Sequence, residues 1–461
     1  VAAEGRLFGT DGVRGLANQY PVTPEMAFSL GRAGAEHLQR QHRGRGAIVV
    51  GRDTRLSGDM LEASICAGIC AAGIDVLQVG VMPTPAIAYL TRSWGALGGV
   101  VLSASHNSFE DNGIKFFSAD GFKLPDTAED ALEQMIKGDV ARPRPTGRMI
   151  GRIRRVADAV EQYQAFARTT LGPGLSLAGL RVVLDCAHGA ATPVAPALFE
   201  QLGAQVIVHA TDPDGTNINH QCGALHPEYA QDVVKRVGAD IGFCFDGDAD
   251  RLMAIDEQGV VRDGDYTLGI CTQDLVKRGE LHTACVVGTV MSNYGLEELL
   301  QRMGIVLHRA PVGDKYVIEE MRRSGTILGG EQSGHVVFLT HATTGDGLVT
   351  ALQLLRVMQT SGEPLSRLSA ALTKYPQVLL NVRVRERVDP LALHAVQLAY
   401  AEAQQMLHGG GRILIRLSGT EPLARVMVEG RDAGIIQVAA QHLAQAIEQT
   451  IGDTAVSPSE L

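Results

Sequence analysis

Three aspartates, Asp246, Asp248 and Asp250, alternate within Asp246-Gly247-Asp248-Ala249-Asp250-Arg251. On an extended backbone, alternate side chains project to one side, so the three carboxylates are expected to converge there. Converged carboxylates repel one another unless a cation sits among them, and hard oxygen ligands favour Mg²⁺ or Ca²⁺. An EF-hand loop also carries acids at its first, third and fifth positions, and Glu257 even falls at the twelfth. Its sixth position needs glycine, however, and here is Arg251. The flanking residues also read as strands, so magnesium serving phosphate chemistry is the expected use.

A second group follows the apolar run Gly99-Val100-Val101-Leu102, which leads into Ser103-Ala104-Ser105-His106-Asn107. In open α/β sheets, ligands bind just beyond the carboxyl ends of strands. Ser105 is therefore placed to act as a nucleophile or phosphate carrier. Further along, Ser418-Gly419-Thr420 offers consecutive backbone N–H groups and two hydroxyls, with Arg416 and Arg425 close in sequence. Backbone nests and arginines both bind phosphate oxygens. Glu331-Gln332-Ser333-Gly334-His335 has the acceptors and donors to hold sugar hydroxyls. Near the start, Phe8-Gly9-Thr10-Asp11-Gly12-Val13-Arg14-Gly15 reads as a tight loop. Arg14 could hold a phosphate bidentately; taken alone it reads as an exposed arginine. There is no Walker A cradle and no G-x-S-x-G elbow.

The elements that must position these residues read as repeated α/β units. Ala47 to Val50, Ile74 to Val79 and Val100 to Leu102 are strands, separated by helices with Leu61, Ile65, Gly68 and Ile69 on one face and over Pro83 to Trp94. Ser57 is a plausible helix cap. Asn112-Gly113 marks a turn before a strand at Lys115-Phe116-Phe117. The pattern recurs: strands at Arg181 to Leu184, Ala204 to His209 and Asp240 to Phe245, helices at Thr192 to Leu202 and Glu228 to Val237. A third unit has helices at Tyr266 to Lys277, Leu296 to Met303 and Lys315 to Met321, and strands at Ala284 to Val287, Ile305 to His308 and Thr326 to Leu328. The last segment, with strands at Val378 to Val384, Arg412 to Ile415 and Arg425 to Val428 and helices at Leu391 to Leu407 and Ala433 to Ile447, is of α+β type. The expected fold is three similar α/β domains with mixed, mostly parallel sheets plus a smaller C-terminal α+β domain. Their expected bounds are 1–150, 151–258, 259–375 and 376–461, with Arg142-Pro143-Arg144-Pro145-Thr146-Gly147 as the first linker.

With 461 residues, 45% apolar and 20% charged, the chain reads as a multidomain globular protein. A net charge of −10 gives no basic face for nucleic acid. No apolar run approaches a membrane span and no signal peptide is read. The seven cysteines are scattered, without a C-x-x-C pair, so buried thiols and a cytoplasmic location are expected. The chain opens on Val1 rather than Met, which is consistent with residues upstream.

Ser103 to Asn107, Asp246 to Arg251, Gly330 to His335 and Arg416 to Pro422, in that order along nearly the whole chain, resemble the motifs of the α-D-phosphohexomutases. Phe8 to Gly15, Gln332, Val290 to Asn293 and Ser418 to Gly430 are most similar to the branch that interconverts glucosamine 6-phosphate and glucosamine 1-phosphate, on the way to UDP-N-acetylglucosamine and the cell wall. The resemblance implies that Ser105 carries the phosphoryl group and, with Asp246, Asp248 and Asp250, binds Mg²⁺. It makes Arg14, Lys115 and His335 the groups for proton transfer and for steadying the transferring phosphate, with His106 beside the serine. Glu331 and Ser333 would read sugar hydroxyls. Arg416, Ser418, Gly419, Thr420 and Arg425 would hold the phosphate that is not reacting. A sugar 1,6-bisphosphate is the implied intermediate and activator, sugar phosphates are the implied partners, and a homodimer is the implied assembly. Many members have glycine where this chain has Ala249; all three aspartates remain, so the expected effect is slight. The same chemistry on glucose or mannose phosphates, a non-catalytic sugar-phosphate sensor and a metal-dependent phosphatase are the rival readings.

Overall fold

The protein is described by a computed structural model over residues 6–9, 11–40, 46–138, 144–418 and 422–453. Among the described residues two compact units form: residues 6–291 together with Met303–Ala371, and Ser292–Arg302 together with residues 372–453.

The larger unit holds three sheets. The first contains β1 (Val13–Leu16), β2 (Ala47–Arg52), β3 (Asp75–Val81), β4 (Gly98–Leu102), β5 (Asp111–Ser118) and β6 (Ile153–Arg155), in the order β1-β5-β4-β2-β3-β6. The second contains β7 (Arg181–Asp185), β8 (Gln205–His209), β9 (Ile241–Phe245), β10 (Leu252–Asp256) and β11 (Val261–Arg262), in the order β11-β10-β9-β7-β8. The third contains β12 (Cys285–Thr289), β13 (Val306–Ala310), β14 (Leu328–Gly330) and β15 (Val336–Phe338), in the order β13-β12-β14-β15. β4 and β9 are buried at every residue, which is why they read as continuous apolar runs instead of alternating ones.

One plan recurs in all three sheets. A run of parallel strands ends at β4, β9 or β14, and the chain then doubles back as an antiparallel strand: Leu102 pairs towards Ile114, Phe245 towards Leu252, and Gly330 towards Val336. The reversals carry Ser105, the three aspartates, and Glu331 to His335 respectively. The expected repeat is thus one of architecture.

The smaller unit is an antiparallel sheet of β16 (Gln377–Arg383), β17 (Gly411–Leu417) and β18 (Leu423–Gly430), ordered β16-β18-β17. Helices His394–Met406 and Ala433–Ile451 pack their apolar faces on it through Val396, Ala403, Leu443 and Ile447. The α+β expectation holds.

Several local expectations are corrected. Asn112 and Gly113 are not a turn but part of β5, opposite Gly15 and Arg14 of β1. Strand partners on both sides override their turn preference, and the chain reverses earlier, near Phe109 and Glu110. The end of the expected tight loop, residues 13–15, belongs to strand β1 for the same reason. Ser57 makes no side-chain cap; its Oγ accepts from Asn112 Nδ2 at 2.9 Å. The seven cysteines are free thiols, six of them buried and Cys70 partly so. No helix among the described residues is long and apolar enough to cross a membrane.

Candidate active site

Ser105 sits just past β4, almost fully buried, with φ at 54°. Its Oγ donates to Asp246 Oδ2 at 2.6 Å, and His106 Nδ1 lies 3.4 Å from Ser105 Oγ. The backbone around it is held from several sides. Ser105 N donates to Ser103 Oγ at 2.8 Å, and Ser103 Oγ donates to Asp53 Oδ2 at 2.6 Å. Burial, with the cations Arg251 and Arg14 nearby, pushes the His106 pKa down to about 4. The imidazole beside the serine is therefore neutral at physiological pH.

The three aspartates converge, but not by strand alternation. Residues 246–251 form the reversal between β9 and β10, Ala249 N donating to Asp246 O at 3.0 Å. Ala249 takes φ 58°, in the left-handed region. This turn brings one oxygen of each carboxylate within 4.8 Å of the others, all buried. Burial is the largest effect on Asp246 and Asp250, and with neighbouring carboxylates it drives both pKa values up. Burial opposes the charged form of Asp248 as well. There the Lys115 ammonium and hydrogen bonds from Lys115 and Thr84 together outweigh it and hold the pKa down. Asp248 Oδ1 and Asp250 Oδ1 are buried without a hydrogen-bond partner among the described residues. Three clustered carboxylates with two orphaned oxygens can hold a metal ion, and their hardness suits a divalent cation such as Mg²⁺.

Lys115, on β5, is buried with its Nζ 2.9 Å from Asp248 Oδ2 and 3.1 Å from Asp11 Oδ2. Burial works against its charge, but Asp11 and Asp248 outweigh it and raise the pKa. Arg14 also contacts Asp11, and Lys123 bridges Asp11 to Asp314. Asp314 Oδ2 in turn lies 3.5 Å from His335 Nε2. His335 Nε2 also accepts from Gly345 N–H at 3.1 Å. His335 Nδ1 is buried without a hydrogen-bond partner among the described residues. Glu331 Oε1 accepts from Gly313 N at 3.0 Å, and its Oε2 accepts from Ser333 Oγ at 3.2 Å. Gly334, at φ 91°, lets this loop lie against β10: a Cβ there would stand 2.3 Å from Leu252 O.

The larger unit thus brings together Ser105, His106, Arg14, Lys115, the three aspartates, Glu331, Ser333 and His335. In the smaller unit, Arg416 on β17 pairs directly opposite Arg425 on β18. Like charges facing across a ladder are unfavourable without an anion, and burial and Arg425 lower the Arg416 pKa. Ser418 Oγ lies 3.5 Å from Arg425 Nη2, and its carbonyl accepts from Arg387. Gly419 and Thr420 fall outside the described residues. Reading the sequence missed Asp11, Asp53, Arg55, Lys123, Asn219, Asp314 and Arg387. Only Asp11 stood within a quoted motif, Phe8 to Gly15, and none of the seven carried a spacing that marks chemistry.

Four segments of the chain match models of the phosphoglucomutase/phosphomannomutase family: alpha/beta/alpha domain I over residues 5–142, domain II over 162–259, domain III over 263–375 and the C-terminal domain over 379–446. A protein named phosphoglucosamine mutase from Desulforudis audaxviator is 54% identical over 446 residues, covering 96% of this chain and 98% of that one. The chain belongs to the phosphoglucomutase/phosphomannomutase family. Another relative with the same name, from Syntrophotalea carbinolica, is 51% identical over 97% of this chain and 98% of its own length. Among solved structures, a phosphoglucomutase/phosphomannomutase family protein from Burkholderia thailandensis aligns with a TM-score of 0.79 at 26% identity, covering 96% of this chain and 97% of that one. The N-acetylphosphoglucosamine mutase of Aspergillus fumigatus, solved with GlcNAc-6P and magnesium, shares the fold at a TM-score of 0.66 and 18% identity, covering 96% and 95%. Each of the four family segments carries one motif: Ser105 in the first, the aspartates in the second, Glu331 to His335 in the third, and Arg416 to Pro422 in the last. Ala249 holds a left-handed φ of 58°, a conformation that glycine adopts without the strain a side chain adds.

Proposed function

We propose that this chain is a phosphoglucosamine mutase, interconverting glucosamine 6-phosphate and glucosamine 1-phosphate for UDP-N-acetylglucosamine and cell-wall synthesis. The observation that carries the reading is Ser105 Oγ hydrogen-bonded into the buried aspartate cluster beside Lys115. It gains weight from 54% identity over 96% of the chain to a protein of that name.

Phosphorylated Ser105 gives its phosphoryl group to the free hydroxyl of the bound monophosphate. The P–Oγ bond breaks, a bond from phosphorus to the sugar oxygen forms, and the hydroxyl proton leaves to a base. The resulting 1,6-bisphosphate turns over, and the reverse transfer returns a phosphoryl group to Ser105. Mg²⁺, held by the phosphoserine and by Asp246, Asp248 and Asp250, would neutralise charge on the transferring group. Lys115 stays protonated between Asp11 and Asp248, so its part is to steady that charge. Arg14 joins it there. Neutral His106 beside the serine and His335, with its buried, unpartnered Nδ1, are the groups suited to moving protons. Glu331 and Ser333 hold sugar hydroxyls. Arg416, Ser418, Gly419, Thr420 and Arg425 hold the phosphate that is not reacting, and backbone donors with arginines accept either phosphate of the bisphosphate.

The same reading divides the chain at 1–150, 151–258, 259–375 and 376–461 and places it in the cytoplasm as a homodimer. Its partners are sugar phosphates, without nucleic acid or membrane.

The test is a mutase assay with Mg²⁺ on glucosamine, glucose and mannose phosphates, with Ser105→Ala as control. A preference for glucosamine phosphate that disappears in Ser105→Ala is expected. A preference for glucose or mannose phosphate would keep the phosphoserine chemistry and overturn the substrate. Near-normal turnover by Ser105→Ala would remove the phosphoserine.

A further inference from the structure

Ser105 has to occupy one position in two chemical states. When phosphorylated, its charge can be fixed by cations around it. When it has given the phosphoryl group away, only a neutral hydroxyl remains, and the bisphosphate must find that oxygen where it was. Something other than the phosphate must therefore hold the residue.

The buried pair Asp53 and Arg55 has the geometry to do so. Both side chains are fully buried, with Arg55 Nε 2.8 Å from Asp53 Oδ2. Arg55 Nη2 donates to Ser105 O and to Asn107 O, each at 2.9 Å. Its Nη1 donates to Asp111 O at 3.0 Å and also to Ser108 O. One guanidinium thus gathers four carbonyls of a seven-residue reversal, residues 105–111. The other end of the same ion pair reaches the other side of Ser105: Asp53 Oδ2 accepts from Ser103 Oγ, which accepts from Ser105 N. Asn219, from beyond β8, adds Nδ2 contacts to Ser105 O at 2.9 Å and Asn107 O at 3.0 Å. Both peptide groups of Ser105 are fixed, at a left-handed φ of 54° that a serine does not hold unaided.

We infer that Asp53 and Arg55, with Ser103 and Asn219 as their links, are positioning residues that keep Ser105 Oγ aligned in both its free and phosphorylated states. None of the four touches the reacting atoms. The planar fork of Arg55 matters because it presents donors to several carbonyls at once, which a lysine ammonium on a flexible stem does not reproduce. This inference rests on the phosphoserine mutase reading.

Removing Arg55 outright strands a buried carboxylate and risks the fold, so the informative variants are Arg55→Lys, Ser103→Ala and Asn219→Ala. Each is assayed on folded protein for kcat, for KM and for how the phosphoenzyme divides its phosphoryl group between sugar and water. Misalignment by a fraction of an ångström should lower kcat about tenfold to a hundredfold in Arg55→Lys, leave KM nearly unchanged and raise the share lost to water. Asn219→Ala and Ser103→Ala should move the same way by less. A kcat within about twofold of wild type in all three overturns the inference. So does a fall in kcat that tracks the folded fraction with an unchanged division between sugar and water, because that is what a structural role alone produces. Failure of the wild-type chain to form phosphoserine or turn over any hexose phosphate is a separate result, which overturns the parent reading itself.

Discussion

Ser105 and Asp246 lie 141 residues apart in sequence, yet the serine Oγ donates to Asp246 Oδ2 at 2.6 Å. Two reversals at equivalent places in two sheets are thereby locked face to face. The carboxylates behind that contact are crowded: burial, then mutual repulsion, drives Asp246 and Asp250 towards protonation. A divalent cation relieves both effects together. Mg²⁺ should therefore raise the melting temperature of the protein, by about 2.7 kcal/mol of stability at a hundredfold excess over Kd. Asp250→Asn should lose most of that gain while being no less stable without metal, since one repulsive charge is gone. Thermal melts with Mg²⁺ and with EDTA decide the matter; coincident wild-type curves would remove the metal from this site.

Arg416 and Arg425 make a different kind of prediction. Paired directly across β17 and β18, they repel each other in the free protein and are satisfied together by an anion. Arg416→Ala should raise KM for a hexose monophosphate about tenfold or more, the scale of one lost charge-assisted hydrogen bond, with a smaller change in kcat. Its stability without ligand should equal or exceed that of wild type. Unchanged saturation kinetics would take Arg416 out of phosphate binding, and a marked loss of stability would show that its contacts are structural.

Ala249 permits a simple test of backbone strain. An L-residue at φ 58° costs about 1–2 kcal/mol that glycine avoids, while glycine gives back about 0.4–1 kcal/mol through the freer unfolded chain. Ala249→Gly should therefore be neutral or stabilising by up to about 1.6 kcal/mol, with catalysis preserved. Chemical denaturation measures this directly, and a clear loss of stability would mean that packing of the methyl group outweighs the strain.

The parts of the site legible in the sequence were those in which chemistry and local chain direction coincide. Val100 to Leu102 and Ile241 to Phe245 are apolar runs that end abruptly in polar residues, so both the strand and the loop beyond it could be read. The aspartates were read correctly as a cluster, but for the wrong geometric reason: a turn, rather than alternation along a strand, gathers them. Asn112-Gly113 misled because turn preference is local, whereas membership of β5 is decided by β1 and β4 on either side. Lys123 and Asp314 stand 191 residues apart and each is an ordinary charged residue in sequence. Arg55 was invisible for the same reason; apart from Asp53, its partners are backbone carbonyls, which leave no mark on residue type. The helix Gly347–Ser361, buried on most of its surface, lacks the one-sided pattern by which amphipathic helices are recognised.

Glu129, away from the aspartate cluster, should give the protein a pH-dependent stability. It lies in the helix Asp126–Lys137, buried, with Oε2 3.6 Å from Arg6 Nη2 and 3.9 Å from Lys315 Nζ. That oxygen has no hydrogen-bond partner among the described residues. Burial is the dominant effect and raises the pKa to about 7; Lys315 and Arg6 pull it down, and Asp126 pushes it up. In the unfolded chain the group titrates near its ordinary value of 4.5. Between those values the folded protein holds a proton that the unfolded chain has released. The unfolded state therefore binds fewer protons, and stability falls as pH rises through this window. Glu129→Gln stays neutral throughout. It should flatten that slope and be more stable than wild type by about 1 kcal/mol or more near pH 8, with little difference near pH 4. Urea unfolding of both proteins across that range measures the difference. A constant gap between them at every pH would show that the carboxyl is not held above its ordinary range, and that burial of Glu129 is offset by Arg6 and Lys315.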